Sequence, residues 1–344
     1  MLPQTEGEVG MPLLSGDGHH LDTSPLAAAF EDRTNSYKIF WFASILQLVQ
    51  RGPNVTSIPL DEVLIEMLVS AWHPVCLYKL SLGSRDQIAS ILVEVCERER
   101  LKPSSPLMHV RAAIAQCAGV RDRLNELARY VPNRFLTPWM RNELAGVADQ
   151  KKNELIASVA LRSQDGEVPT PYWIQGRRIY FNQQWSDFFS SHAGLLRGFT
   201  SYHLTAYLQT RNPSVPGIPS KLSAPGLRSL RSARAFWEEV LRYAYASNAV
   251  ADFIDIYSGA PLGSGFAIDH FIPWTFVAHD LHWNLAPVES RSNSMKGDRL
   301  PALDSYLPRL AKLHALARPV MRHHPKVLFD FVDVLKCSAD EFLG

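Results

Sequence analysis

The order of hydrophobic and polar positions predicts a chain that is helical through its first half. Residues 36–50 carry apolar side chains around most of a helix, Trp41 among them, which is typical of a helix buried on several sides. Apolar periodicity predicts three further helices, over residues 60–70, 84–98 and 110–130. Ser84 or Asp86 can cap the second of these, and the prolines between 132 and 138 are expected to end the third.

The second half shows shorter and more mixed patterns. Its prolines at 213, 216, 219 and 225 predict an extended loop over residues 211–225, because proline removes a backbone donor and restricts its predecessor. The remaining patterns predict the following elements: a strand or a helix over 154–161, a short strand over 178–182, and helices near 185–190, through most of 227–257, over 303–314 and over 326–335.

Residues 266–299 have a pattern unlike any other part of the chain. An apolar run with an Asp-His pair inside it, 266–272, predicts a short strand that Pro273 ends. Residues 274–282 are expected to form a loop, and residues 283–288 a second strand interrupted by Pro287. Ser290 is a suitable N-cap for a short helix over 291–299. The predicted order is strand, loop, strand, helix.

The residues in this segment suit the chemistry of phosphodiester hydrolysis with one metal ion. Asp269 and the amide oxygen of Asn293 are hard oxygen ligands of the kind that Mg²⁺ prefers, usually only one or two per site. His270 has the side chain whose ordinary pKa best suits a general base near neutral pH. Such a base needs its other ring nitrogen held, and Asn284 is the candidate for this, through its side chain or its carbonyl. Lys296 lies three residues after Asn293 and shares its helical face.

The same segment resembles the HNH, or ββα-metal, endonucleases. It is most similar to the subgroup with D-H-x-x-P-x-x-F (269–276), N-x-x-P (284–287) and N-x-x-K-x-x-x-x-P (293–301), which includes the HNH domains of RNA-guided CRISPR effectors. The resemblance implies that His270 is the general base, that Asp269 and Asn293 bind the metal, that Asn284 orients the base and that Lys296 contacts phosphate. Asn293 stands where many HNH proteins have histidine, which is expected to weaken affinity for softer metals.

Composition is ordinary for a soluble globular protein, with 46% hydrophobic and 20% charged residues and a net charge of +1. Residues 1–32 hold six acids and no Lys or Arg, which predicts a mobile acidic tail. Four scattered cysteines without a C-x-x-C pair argue against a structural zinc site and favour a reducing compartment. No secretory signal and no apolar run long enough to cross a bilayer is present, so a cytoplasmic location without membrane association is expected.

Basic residues are concentrated in two stretches without acids, 188–237 and 305–329, which flank the motif. Arg228, Arg231 and Arg234 fall on one stripe if their segment is helical, and Arg299 lies beside the motif. Uncompensated cations attract phosphate without sequence preference, so these four arginines and Lys296 are the candidate DNA contacts. The alternative is that they pair with acids distant in the sequence.

These observations predict a mainly α (α+β) protein in which a helical scaffold carries an embedded ββα-metal nuclease module. The expected domains are a tail (1–32), a helical domain (33–150), a mixed basic region (151–260), the HNH module (261–302) and C-terminal helices (303–344).

The predicted activity is hydrolysis of DNA phosphodiesters with Mg²⁺ or Mn²⁺, and the family resemblance suggests defence against phage or plasmid as its setting. A monomer would nick one strand, and a homodimer would cut both. RNA as substrate remains open, as does a nuclease subunit gated by a protein partner that binds the helical half. The chain has no nucleotide-binding signature, so ATP-driven activity is not expected.

Overall fold

The computed structural model describes residues 21–31, 34–52, 55–166 and 170–343. The chain divides into two compact units, Met1–Ser214 with Lys221–Ala224 and Val215–Ser220 with Pro225–Gly344. Most described residues are helical, and the named strands form two small antiparallel sheets. This architecture confirms the predicted mainly α class with a minor β component.

The first unit is a helical assembly with one small sheet. Its helices are α1 (Ser24–Ala28), α2 (Tyr37–Val49), α3 (Leu60–Trp72), α4 (Gln87–Arg98), α5 (Leu107–Gln116), α6 (Val120–Phe135), α7 (Asp149–Leu161), α8 (Gln183–Ser191) and α9 (Ala193–Arg211). Its strands are β1 (Ser57–Pro59), β2 (Tyr172–Gln175) and β3 (Arg178–Phe181), in the order β1-β3-β2. A π-helical turn, His73–Leu77, and two 3₁₀ turns, Thr137–Met140 and Arg162–Asp165, complete the unit.

Helix α2 lies at the centre of this unit, where it packs against α3, α6, α8 and α9. Its buried residues cover most of its circumference, as its apolar sequence predicts. The Trp41 indole donates to the Tyr172 hydroxyl (2.9 Å), which in turn donates to the Pro132 carbonyl (2.6 Å). These two hydrogen bonds, within an aromatic core, therefore join α2, α6 and β2.

Three predictions for this unit need correction. Residues 110–130 belong to two helices rather than one, because Gly119 takes a left-handed conformation (φ +87°) at the start of α6. Pro132 does not end α6, which continues to Phe135; burial of this turn outweighs the hydrogen bond that the proline removes. The mobile tail predicted for 1–32 lies largely outside the described residues, but 24–28 are helical and Leu26 and Phe30 are buried.

Other local predictions hold. Asp86 caps α4 by accepting from the Ile88 N–H (2.9 Å), which selects it over Ser84. Residues 149–161 are helical, and the loop after α9 contains only a 3₁₀ turn, Ile218–Lys221.

The second unit has a two-stranded sheet among helices. Its elements are α10 (Arg231–Ala246), β4 (Ala267–His270), α11 (Trp274–Val277), β5 (Leu285–Val288), α12 (Ser290–Lys296), α13 (Leu303–Met321), α14 (Pro325–Leu335) and α15 (Ala339–Leu343). Two 3₁₀ turns, Val250–Asp252 and His282–Asn284, lie between them. The buried side of α10 repeats at helical spacing through Phe236, Trp237, Val240 and Leu241, and it packs against α13, β4 and β5. The apolar core of this unit therefore supports the sheet that carries the Asp-His pair.

Candidate functional site

The predicted order of elements around the motif is present, with shorter boundaries. Strands β4 and β5 pair antiparallel, with Asp269 opposite Ala286 and His270 opposite Leu285, and α12 follows β5. Pro287 lies within β5 opposite Ile268 and does not interrupt the strand. Proline lacks a backbone N–H, but in a two-stranded sheet every second N–H points away from the partner strand and is not needed for pairing. The region predicted as a loop contains α11 and the start of a 3₁₀ turn.

Asn284 closes the loop between the two strands. Its amide oxygen accepts from the Ile272 N–H and its amide nitrogen donates to the Ile272 carbonyl, both at 2.8 Å. Its own carbonyl accepts from the Phe271 N–H (2.8 Å). A direct contact of Asn284 with the His270 ring was predicted; instead this fully buried residue holds the backbone that immediately follows His270.

The His270 imidazole is held by a residue that the motif does not include. Nε2 lies 2.7 Å from an Asp280 carboxylate oxygen, and the Arg228 guanidinium donates to the same carboxylate at 2.6 and 3.2 Å. Nδ1 forms no hydrogen bond with a described residue and is not among the fully buried unpartnered atoms, so it keeps some exposure to solvent. Burial lowers the pKa of His270, although the neighbouring Asp280 opposes this shift. The ring is therefore mainly neutral at neutral pH, as a proton acceptor must be.

Asp269 points to the other face of the strand, as expected for consecutive strand residues. One of its carboxylate oxygens accepts from the Tyr257 hydroxyl (2.7 Å) and lies 3.2 Å from the Lys296 ammonium. Burial, and then the charge of Asp269, raises the pKa of Tyr257, so the phenol is a hydrogen-bond donor. The Lys296 ammonium also donates to the His270 carbonyl (2.7 Å). Lys296 and Asp269 have side chains only 7% and 8% exposed, so the lysine neutralises the carboxylate in a mostly buried site.

Asp255 connects the segment before β4 to the start of α12. It is fully buried, and one carboxylate oxygen accepts from the Tyr257 N–H (2.7 Å) while the other accepts from the Glu289 N–H (3.0 Å). Arg309 of α13 donates to the Tyr257 carbonyl (2.7 Å). These bonds place the Tyr257 phenol beside Asp269 and fix α12 against the strands.

Helix α12 differs in its boundaries from the prediction of a helix over 291–299 capped by Ser290. Glu289 precedes its first turn and makes no side-chain cap, and the helix ends at Lys296 because Gly297 adopts a positive φ (+53°). The Asn293 side chain is half-buried and makes no hydrogen bond with any described residue. The Arg299 guanidinium donates to the Met295 and Lys296 carbonyls at the helix end, where the last carbonyls lack intrahelical partners.

The three arginines predicted to share a helical stripe are in different environments. Helix α10 begins at Arg231, so Arg228 precedes it and the stripe is limited to Arg231 and Arg234. Arg228 bonds to Asp280 and stacks on the Trp274 ring, its guanidinium carbon 4.0 Å from the ring centroid. Arg234 donates to the Phe266 carbonyl (2.6 Å) and lies 3.7 Å from Glu238. The Arg231 side chain is exposed and bonds to no described side chain.

The donor set fits a hard divalent cation. Asp269 offers an anionic oxygen, and Asn293, on the helix that packs against β4, offers an unengaged amide oxygen; Mg²⁺ needs few protein ligands and keeps several waters. Across the described ranges, no group of three or more His, Cys, Asp or Glu side chains is arranged to hold a metal.

Four residues of this site were not found from the sequence: Tyr257, Asp255, Asp280 and Trp274 in its contact with Arg228. None lies at a defined motif position, and the spacing of the motif does not indicate which residue each one contacts. A weak signal existed for Asp280, which is an acid in an otherwise apolar and aromatic loop ten residues after His270.

One comparison with known proteins found a match, and it covers the candidate site. Residues 255–302 match the family model described as HNH endonuclease, so this segment is an HNH module. HNH proteins are nucleases that act on nucleic acid and generally depend on a divalent metal. No curated protein and no solved structure matched the chain. Among the described residues, no helix is long and apolar enough to span a membrane.

Proposed function

We propose that this HNH module hydrolyses DNA phosphodiesters with Mg²⁺ or Mn²⁺, with His270 as general base. The observation that carries the proposal is the placement of Asp269 and His270 on opposite faces of β4. One face has an anionic oxygen for a cation, and the other has a neutral imidazole with an accessible nitrogen. Base and metal ligand thus belong to adjacent residues but occupy separate environments.

In this proposal His270 removes a proton from a water molecule at Nδ1, while Nε2 remains on Asp280. A neutral imidazole can accept that proton, and a positioned general base contributes roughly 10²- to 10⁴-fold to rate. Asn284 keeps the backbone after His270 in place through its bonds to residues 271 and 272.

Asp269 and Asn293 would hold the metal. Bound there, a divalent ion supplies charge neutralisation at the phosphate and stabilises the leaving oxygen. Tyr257 donates to Asp269 and orients the carboxylate. A phosphate near Asp269 would also meet Lys296, whose ammonium already neutralises that carboxylate.

DNA contact is assigned to Lys296, Arg299, Arg228, Arg231 and Arg234. Arg231 is the best supported of the arginines, because its exposed side chain bonds to no described side chain. The other three arginines bond to protein groups and would contribute with their remaining donors. The expected outcome of neutralising these arginines is weaker binding and a smaller dependence of affinity on salt.

The first test is cleavage of supercoiled plasmid by wild type and His270→Ala, each with Mg²⁺, Mn²⁺ or EDTA. Open circles from wild type, lost with EDTA and lost in the variant, would support a metal-dependent nickase. Linear product would support a homodimer or paired nicks. Undiminished cleavage by His270→Ala would overturn the assignment of the base.

The same purified protein can be used to test whether the substrate is DNA or RNA and whether a partner is needed. Cleavage of RNA but not DNA would make the protein a ribonuclease. Inactivity on both would favour a nuclease subunit gated by a protein partner. The large first unit motivates this second candidate, because the site residues named above all belong to the second unit. A role in defence against phage or plasmid predicts that His270→Ala removes protection from cells challenged with either.

A further inference from the structure

Asp280 lies in the loop between α11 and the 3₁₀ turn before β5, outside the residues assigned above to water activation, metal and DNA. One of its carboxylate oxygens is 2.7 Å from His270 Nε2. Arg228 binds the carboxylate as a fork, with Nη2 2.6 Å from that same oxygen and Nε 3.2 Å from the other. The His270 side chain is 10% exposed and those of Asp280 and Arg228 are about one-third exposed, so the three groups form a partly buried cluster.

The chemistry of these groups determines which ring nitrogen carries the proton. An ionised carboxylate can only accept a hydrogen bond, so Nε2 must be the donor to Asp280. The Arg228 Nη2 atom lies 3.2 Å from Nε2, but both are then donors, and they share the Asp280 oxygen rather than bonding to each other. A neutral ring protonated at Nε2 has its lone pair at Nδ1, the nitrogen that forms no hydrogen bond with a described residue.

Arg228 keeps the carboxylate in place. Its fork fixes both oxygens of Asp280, which is the geometry that distinguishes arginine from lysine. Its guanidinium plane rests on the Trp274 ring, 4.0 Å from the centroid, and this contact restricts the arginine itself. Trp274 therefore restricts Arg228, Arg228 holds Asp280, and Asp280 holds the ring of His270.

We infer that Asp280 is a positioning residue that holds His270 in the tautomer protonated at Nε2, and that Arg228 supports this carboxylate. The inference rests on the proposed function, in which His270 is the base. It gives Arg228 a role in the rate of the chemical step in addition to its assigned DNA contact. Asp280 itself does not touch the reacting atoms.

The first measurement is the tautomer of His270 in the wild-type protein, from ¹⁵N chemical shifts of the histidine rings, with His270→Gln used for assignment. The expected result is a protonated Nε2 and an unprotonated Nδ1. A ring protonated at Nδ1 would overturn the inference, even in an active nuclease. This measurement needs no cleavage assay, so it remains decisive if the proposed nuclease function fails.

The second measurement compares kcat and KM of Asp280→Asn with those of Asp330→Asn, a matched change at the other Asp–His pair of this unit. The asparagine amide can donate to Nε2 and so favours the wrong tautomer. We expect kcat of Asp280→Asn to fall by roughly 10²-fold or more with little change in KM, on the scale of general-base effects, and partial recovery in Asp280→Glu. Asp330→Asn should retain kcat. Wild-type kcat in Asp280→Asn, or an equal loss in both variants, would overturn the inference.

Arg228→Gln separates positioning from DNA contact. Loss of support for Asp280 should lower kcat, whereas loss of a phosphate contact raises KM and reduces its salt dependence. A change in KM alone would remove Arg228 from the positioning role. If Asp280→Asn does not fold, Arg228→Gln and the wild-type tautomer still decide the inference.

Discussion

The pairs His270–Asp280 and His282–Asp330 of the second unit differ in ways that separate a candidate chemical site from a structural bond. His270 contacts Asp280 through Nε2 at 2.7 Å, and His282 contacts Asp330 through Nδ1 at 2.8 Å. The remaining nitrogen of His282 is buried without a partner, and its ring lies against Phe236. The remaining nitrogen of His270 is accessible. Both histidines contact an aspartate, but only His270 keeps a second ring nitrogen that a water molecule can reach.

The acids of the two pairs also differ. Asp330 accepts from the backbone N–H as well as from the ring of His282, so it fastens α14 to the turn that leads into Asn284. Asp280 accepts instead from Arg228, a side chain on another segment. A carboxylate next to a histidine is therefore insufficient to assign chemistry. The proposed role of His270 as a base is supported by the accessibility of its second nitrogen and by the neighbouring Asp269.

The largest difference is expected when each histidine is removed. His270→Ala should lower kcat for DNA cleavage by roughly 10²- to 10⁴-fold while DNA affinity, measured by fluorescence anisotropy, changes little. His282→Ala should retain kcat in the folded protein and lower its stability. Equal losses of kcat in the two variants would remove the distinction between the pairs.

A third histidine extends the comparison to a ring without any acid partner. His314 is buried between Trp237 and Phe331, its Nε2 has no partner, and burial lowers its pKa to about 4 from the ordinary 6.5. Because the unfolded chain takes up a proton first, the contribution of His314 to stability is complete above pH 6.5 and is lost as pH falls towards 4. The loss should be at most about 3–4 kcal/mol, since one pKa unit corresponds to about 1.4 kcal/mol.

Urea unfolding at several pH values measures this loss. His314→Leu, which keeps an apolar side chain there, should flatten the dependence between pH 6.5 and 4. A slope identical to that of wild type would assign the acid sensitivity to other groups.

The acid of the structural pair should matter for stability rather than rate. Asp330→Asn leaves the His282 N–H and ring with a weaker partner, and we expect a loss of roughly 1–3 kcal/mol in the free energy of unfolding. Urea unfolding of Asp330→Asn and Asp280→Asn at pH 7 tests this, with the smaller loss expected for the more exposed Asp280. The reverse order would mean that Asp280 serves mainly to hold the fold.

Which site residues could be proposed from the sequence depends on how far apart in the chain the interacting residues lie. Asp269, His270, Asn284 and Asn293 could be proposed from the sequence because the module is a local unit whose strands and helix follow each other within about thirty residues. The contact of Arg228 with Asp280 joins residues 52 positions apart, and no periodicity links them.

The same limit applies to the fold. Amphipathic helices such as α10 were predictable from apolar spacing, whereas the break at Gly119 depended on a backbone conformation that only the assembled structure demands. The continuation of α6 through Pro132 depended on burial, which sequence periodicity does not report.

The smallest expected effect concerns the ammonium group of Lys296, beside Asp269 on the other face of β4. The Lys296 ammonium lies 3.2 Å from an Asp269 oxygen, and a divalent ion on that carboxylate would be repelled by it. Lys296→Met should therefore tighten Mn²⁺ binding, measured by electron paramagnetic resonance titration without DNA, by a few-fold, or about 1 kcal/mol for partly screened charges. Asn293→Ala should shift the same titration in the opposite direction, because it removes a ligand without removing a competing charge. Weaker Mn²⁺ binding in Lys296→Met would mean that the lysine orients Asp269 for the metal instead of competing with it, and an unchanged titration in Asn293→Ala would remove that residue from the ligand set.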